Sequence, residues 1–297
     1  MKQEEAPALV LVKEAGIHSL LGGAGKKRFE ASGVCREGGY LHIVFDNKPR
    51  LLRIRPDWDT AREEPVMLDL AGTAGGYEDI AYLPSSGRWY CLIEAAETAT
   101  GEILPHVDEF DRSFAFVRSF SLPFPLSAGN KGFEGITALH AGRDDYLLCL
   151  CEGNDCRGGG AGRKPGKGRI QVFRQAHGGW EQTGTIRLPE AVRFRDYAGL
   201  DLRDNRLAVV SQESSALWTG RLRAGPGGPK DRPDDGGRVF LFPRDDQGRV
   251  LYGNAEGVAW LGDDLLAVVS DRVKDGQPDR CADKDQSVHI FRLPPGS

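Results

Sequence analysis

One short pattern recurs five times along the chain, and nothing else in the sequence restricts the fold as much. It reads Ala31-Ser32-Gly33-Val34, Tyr77-Glu78-Asp79-Ile80, Phe133-Glu134-Gly135-Ile136, Tyr197-Ala198-Gly199-Leu200 and Ala255-Glu256-Gly257-Val258. Each copy leads through a short polar turn into a run rich in β-formers: Tyr40 to Phe45, Trp89 to Ile93, Tyr146 to Cys151, Arg206 to Val210 and Leu265 to Val269. Such a pair of runs around a polar turn makes a hairpin. A third alternating segment follows each hairpin, at 51–54, 106–110, 169–173, 238–242 and 287–292. Fourth strands are expected near 66–70, 114–122, 180–188 and 250–252, in the first four units only.

The fifth unit stops after its third strand, and the apolar run Ala8-Leu9-Val10-Leu11-Val12-Lys13 at the other end of the chain is the piece it lacks. A strand from the N-terminus that completes the last sheet closes a ring and removes exposed sheet edges. The expected fold is all-β: a β-propeller of five blades spanning residues 1–297 as one domain, with loop insertions near 157–168 and 224–237. The alternative is a six-bladed ring whose degenerate blade is built from Ala216 to Leu222, where the fourth unit runs long.

Composition limits the partners. Hydrophobic residues make up 40% and charged residues 28% of the chain, and no apolar run approaches the roughly 20 residues that cross a bilayer, so no membrane partner is expected. A formal net charge of −4 opposes nucleic-acid binding, which rests on many Lys and Arg contacts to phosphate. The start, Met1-Lys2-Gln3-Glu4-Glu5, turns acidic before any apolar stretch, so a cytoplasmic location is expected. A monomer is expected as well.

Of the six cysteines, Cys35, Cys91 and Cys149 lie in apolar strand-like runs, where a thiol packs as a small hydrophobe. Cys156 and Cys281 lie in polar loops and could pair if those loops meet. Zinc is disfavoured, because no Cys-x-x-Cys spacing occurs and the six histidines are scattered.

The innermost strand of a propeller blade runs along the channel and its neighbour returns antiparallel. The start of the first strand and the end of the second therefore share one face. Strand starts place Glu30, Ser32, Glu78, Asp79, Glu134, Asp196 and Glu256 there, and strand ends place Asp46, Asn47, Glu94, Glu152, Asn154, Gln212, Glu213 and Asp271. So many oxygen ligands repel one another unless protons, basic side chains or a hard cation neutralise them. Calcium suits such a set, since it takes six to eight oxygens. A single acid beside a glycine at a strand start equally serves to satisfy turn N–H groups.

The insertion after Glu152-Gly153-Asn154 runs from Arg157 to Arg169 with five positive charges and no negative one. Guanidinium and ammonium groups there would pair with phosphate or carboxylate. It lacks the Gly-Lys-Ser/Thr ending of a nucleotide-binding loop. Ser211, Ser214 and Ser215 have no Gly-x-Ser-x-Gly elbow and no evident histidine partner, so a serine-hydrolase triad is not expected. Trp89, Trp180 and Trp260 fall in strand runs and read as core.

The copies Phe133-Glu134-Gly135-Ile136 and Ala255-Glu256-Gly257-Val258, each leading to a strand that ends in Glu152 or in Ser270-Asp271, resemble the Glu-Gly-Ile/Val repeats of phytase-like and SdiA-regulated propeller proteins. The likeness to gluconolactonase-type propellers is looser. The resemblance implies a calcium-dependent propeller, with phosphoester or ester hydrolysis among its activities. Ser32, Ala198 and Asp79 depart from the repeat. The expected function is hydrolysis of a small anionic ester or phosphoester at the channel mouth, with Ca2+ as cofactor. Glu78, Glu94, Glu134 and Glu256 would hold the metal. Glu134, Glu152, Glu256 and Asp271 would carry the chemistry, and Lys131, Asn154, Arg163 and Lys164 would bind the anion. The rival is a non-catalytic binding module for a protein or metabolite, because propellers host both roles.

Overall fold

Tyr40–Phe45, Arg206–Ser211 and Leu265–Ser270 read as nearly continuous apolar runs, and each is buried on both faces along almost its whole length. A strand buried on both sides needs a layer packed against each face, and a ring of blades supplies one. The computed structural model describes residues 6–23, 28–72, 76–98, 101–126, 132–234, 236–274 and 276–296. It contains five four-stranded sheets and one separate two-stranded hairpin.

Blade 1 is built from Ala31–Glu37, Tyr40–Phe45, Lys48–Ile54 and Val66–Asp69, and blade 2 from Asp79–Leu83, Arg88–Glu97, Ile103–Phe110 and Phe116–Ser121. Blade 3 takes Phe133–Ala141, Asp144–Cys151, Arg169–Ala176 and Gly179–Arg187. Blade 4 takes Gly199–Arg203, Arg206–Ser211, Ala216–Arg221 and Arg238–Leu241. Blade 5 takes Ala255–Trp260, Leu265–Ser270 and Ser287–Arg292, and its outermost strand is Val10–Gly16 from the start of the chain. That strand pairs antiparallel with Ser287–Arg292, from Val10 opposite Arg292 to Gly16 opposite Ser287. Just before it, Leu9 N–H donates to Leu241 O at 2.8 Å and Leu241 N–H donates to Pro7 O at 2.9 Å, so the same segment also ties blade 5 to blade 4.

Each inner strand touches the next around the ring, and that of blade 5 touches that of blade 1. The core is divided accordingly into five apolar clusters, one between each pair of adjacent blades. Trp218 anchors the cluster between blades 3 and 4, and Trp260 the one between blades 4 and 5. A large apolar side chain buried in this way contributes roughly 1.5–3 kcal/mol.

Blade 4 corrects the strand assignment. Its third strand is Ala216–Arg221, paired from Ser211 opposite Ala216 to Arg206 opposite Arg221, and the segment expected to be third, Arg238–Leu241, is fourth. Val250 makes one isolated bridge to Arg244 instead of a strand. The six-bladed alternative thus has no blade to draw on. The tight turn 212–215, with Ser215 at φ 45°, returns the chain so quickly that no loop signal marks the third strand's start. The 224–237 insertion lies between the third and fourth strands and carries the small hairpin Ala224–Gly225 and Gly228–Pro229.

The cysteines also differ from expectation. Cys156 is bonded to Cys151, not to Cys281, which is buried and free. The chain turns back on itself at Asp155 and Cys156, both at positive φ, and this brings two thiols five residues apart together. No helix among the described residues is long and apolar enough to cross a membrane.

Candidate metal centre at the channel mouth

Three of the five inner strands carry an extra residue at the repeated position. Pairing slips between Ala31 and Gly33, between Phe133 and Gly135, and between Ala255 and Gly257, which leaves Ser32, Glu134 and Glu256 bulged. A bulge re-aims the side chain it carries. The glycine that follows is a steric demand of the closed ring: a Cβ on Gly33 would stand 2.4 Å from the Asp79 Cα. In blade 2 Asp79 takes the glycine's place, and its carboxylate accepts the Ile80 N–H at 2.8 Å and, across to blade 3, the Ile136 N–H at 2.9 Å. Burial pushes the Asp79 carboxyl well above its ordinary range.

Glu134 on the bulge meets Glu94, at the register break after Ile93 in the second strand of blade 2, and Glu152, just past the second strand of blade 3. One carboxylate oxygen from each lies within 4.8 Å of the others, and all three side chains are half-buried. Gly132 makes this approach possible. Its N–H donates to Glu94 Oε1 at 3.1 Å, its carbonyl accepts the Glu152 N–H at 3.2 Å, and a Cβ there would stand 2.6 Å from Glu94 Cγ.

Glu256 lies apart from this trio. Its Oε1 accepts Gln212 Nε2–H at 2.8 Å and faces the Lys274 ammonium at 3.3 Å, and the same ammonium stands 3.5 Å from Asp271 Oδ2. Burial raises the Glu256 carboxyl well above its usual range, Asp271 raises it further, and Lys274 opposes both. Asp271 is pushed up to about 6 by burial, against the pull of the Arg272 N–H and of Lys274. Burial pulls the Lys274 ammonium down, but Glu256 and Asp271 outweigh it and raise its pKa. Glu78 is raised well above its ordinary value, first by burial and then by the charges of Glu134, Asp46, Glu256 and Glu94.

The four acids expected to share one metal are therefore divided. Glu94 and Glu134 belong to the trio together with Glu152, Glu256 pairs with Lys274, and Glu78 feels the charges of acids in both groups. Lys274 was invisible to the repeat because its loop has no counterpart in the other blades. Its one sequence signal is a lysine three residues after the strand-end acid Asp271.

The expected anion contacts are redistributed as well. Asn154 is buried and structural: its Nδ2–H donates to Gly162 O at 2.8 Å and Phe194 O at 3.1 Å, and its Oδ1 accepts Lys167 N–H at 2.9 Å and Tyr197 O–H at 3.0 Å. Arg163 pairs with Glu213 at 2.7 Å. Lys164 is exposed, and Lys131 lies outside the described residues. At the blade positions that depart from the repeat, Ser32 O–H donates to Tyr77 O, and Asp196 accepts Ser211 O–H and the Glu213 N–H.

The donor set of the trio is all carboxylate oxygen, with no histidine or thiolate in it. Oxygen-only sets suit hard cations such as Ca2+ and Mg2+, with water completing the shell. The residues fit a calcium ion.

No family model matches the chain, and no curated protein matches it. Among solved structures it is similar to a glutaminyl cyclase from Myxococcus xanthus, at 13% identity over 97% of this chain and 98% of that one, with a TM-score of 0.53. It is also similar to a GH43_1 enzyme from Xanthomonas citri, at 14% identity over 96% of this chain and 89% of that one, with a TM-score of 0.52. A GH43 β-xylosidase/α-arabinofuranosidase from a compost microbial metagenome, in a calcium-free form, matches at 9% identity over 94% of each chain, with a TM-score of 0.52. These neighbours are propeller enzymes, and likeness at such identities shows the fold alone: an all-β, five-bladed β-propeller.

Proposed function

We propose that the protein is a metal-dependent hydrolase of a small anionic ester or phosphoester, with its site at the channel mouth. The convergence of Glu94, Glu134 and Glu152 carries this reading. Those three side chains hold a calcium ion. When bound, such an ion polarises the scissile group and lowers the pKa of a coordinated water. Asp271, pushed up to about 6, stands in the range where a carboxylate takes a proton from water near neutral pH. Lys274 holds Asp271 and Glu256 together, and burial beside the neighbouring acids raises the Glu78 carboxyl well above its ordinary range. The calcium-free form of one propeller neighbour and the glycosidase names of two are in keeping with metal and hydrolysis on this fold. The phytase-like resemblance of the repeats supports the phosphoester class.

The described side chains Glu94, Glu134, Glu152, Glu256, Asp271 and Lys274 make their part of the mouth strongly polar, and that favours a small polar ligand over a docked protein. Elemental analysis of protein purified without chelator, a melting curve with and without EDTA, and a screen of phosphoesters, esters and lactones test the reading. Stoichiometric calcium, a large drop in Tm with EDTA and turnover abolished by it are expected. Protein without bound metal and without an EDTA effect overturns the proposal in favour of the binding module.

A further inference from the structure

Beside Glu152 opens a narrow crevice of about 10 Å³, lined by Arg157, Arg163, Arg195, Asp196 and Glu213. Most of the charges around it are already spent. Arg163 is paired with Glu213 at 2.7 Å, and Lys167 and Arg169 are paired with Asp155 at 3.0 and 2.7 Å. Asp196 accepts hydrogen bonds from Ser211 and from the Glu213 backbone. Arg157 and Arg195 are exposed and make no side-chain hydrogen bond or ion pair among the described residues.

Both arginines stand on fixed backbone. Arg157 follows Cys156, whose bond to Cys151 closes the turn that also carries Glu152. Its N–H donates to Asn154 O at 3.2 Å, and its carbonyl is packed so closely on Gly153 and Gly162 that a Cβ at either glycine would stand 2.0 Å away. Arg195 N–H donates to Ser214 Oγ at 3.2 Å, and its carbonyl accepts Asn154 Nδ2–H at 3.5 Å. Asn154 thus bridges the two segments that carry the unspent guanidinium groups.

We propose that Arg157 and Arg195 form an oxyanion subsite, selective for phosphate or carboxylate groups, next to the carboxylate trio. The crevice has room for about one water-sized oxygen, so the anion places one oxygen inside and the rest over the rim, within reach of both guanidinium forks. A cation held at the trio adds positive charge beside the two guanidinium groups and so favours the anion. Cation and oxyanion therefore strengthen each other's binding by the same factor. As a device of turnover this rests on the hydrolase reading; as a binding site it does not.

The test is titration of the full chain with inorganic phosphate and, separately, with acetate at constant ionic strength, in EDTA and again with saturating Mg2+. Wild type is compared with Arg157→Ala/Arg195→Ala and with Arg232→Ala/Arg244→Ala, which removes two arginine charges elsewhere. The crevice variant is expected to bind the preferred oxyanion at least tenfold more weakly in Mg2+, while the remote variant stays within twofold of wild type. Arg195→Ala alone, expected to lose about threefold or more, decides the matter if the double variant does not fold. Stronger binding of phosphate than of acetate assigns a tetrahedral anion, and the reverse a carboxylate. Equal losses in the two double variants, or no binding of either anion by wild type, overturn the subsite. Arginine-dependent binding that is identical in EDTA and Mg2+ leaves the subsite standing and overturns its coupling to Mg2+ at the trio instead.

Discussion

Lys274 Nζ stands 3.3 Å from Glu256 Oε1, so the acid of the best-kept repeat in blade 5 is answered by a cation of the chain itself. Glu134, its counterpart in blade 3, meets two further carboxylates instead. The same bulge thus produces two different electrostatic solutions on two sides of one channel mouth. On one side a lysine of the chain meets the bulged acid, and on the other three carboxylates converge.

Removing the internal cation is expected to make the mouth more negative. Lys274→Met should raise the affinity for calcium severalfold, measured by titration at low ionic strength, and the gain should shrink as salt screens the added field. An unchanged affinity places Lys274 too far from the cation to act on it.

The division of the acids predicts unequal mutants. Glu134→Gln and Glu152→Gln should each weaken calcium binding at least tenfold and abolish the EDTA effect on Tm. Glu256→Gln should leave calcium binding within a few-fold, because its carboxylate serves Lys274 and Gln212. Equal losses in all three would mean that a single metal gathers the whole ring.

How far the sequence was legible follows from what repeats. The hairpins, the ring closure by Val10–Gly16 and the level of Glu134 and Glu256 recur or complete a recurrence, so their positions could be read directly. Arg238–Leu241 reads as a third strand because a tight turn hides the break before Ala216–Arg221, the strand that holds that place. Lys274 and the Cys151–Cys156 bond occur in one blade each, in loops whose paths depend on what packs beneath them. No periodicity reports such features, and local composition does not show that Glu213 and Asp155 pair with most of the charge of the basic loop.

The disulfide should matter to the trio as well as to the fold. It closes a turn that begins at Cys151, immediately before Glu152. For so short a loop the chain-entropy model gives about 2 kcal/mol of stability. Reduction, or Cys156→Ser, should lower Tm by a few degrees and weaken calcium binding by severalfold as Glu152 loses its fixed backbone. In a reducing cytoplasm the open form would prevail, and in an oxidising compartment the closed one. Calcium titrations with and without a thiol reductant, repeated on Cys156→Ser, check this. A reductant effect that persists in the variant assigns it to another cysteine.

Asp201 predicts a pH dependence away from the metal site. Its Oδ2 accepts the Trp260 N–H at 2.7 Å, and burial raises the carboxyl to about 6 against the pull of that N–H and of Arg203. The folded state therefore binds this proton more tightly than the unfolded chain, whose aspartates titrate near 4. The resulting stability is complete below about pH 4 and is lost as pH rises through about 6, a swing of at most about 3 kcal/mol. Asp201→Asn keeps an acceptor for Trp260 and has no proton to lose. Its stability relative to wild type should thus increase from pH 4 to 6 and level off above. Chemical denaturation of both proteins at several pH values isolates this difference, because the other buried acids are common to the two. Parallel curves would place the Asp201 carboxyl in contact with enough solvent to ionise at its ordinary pH.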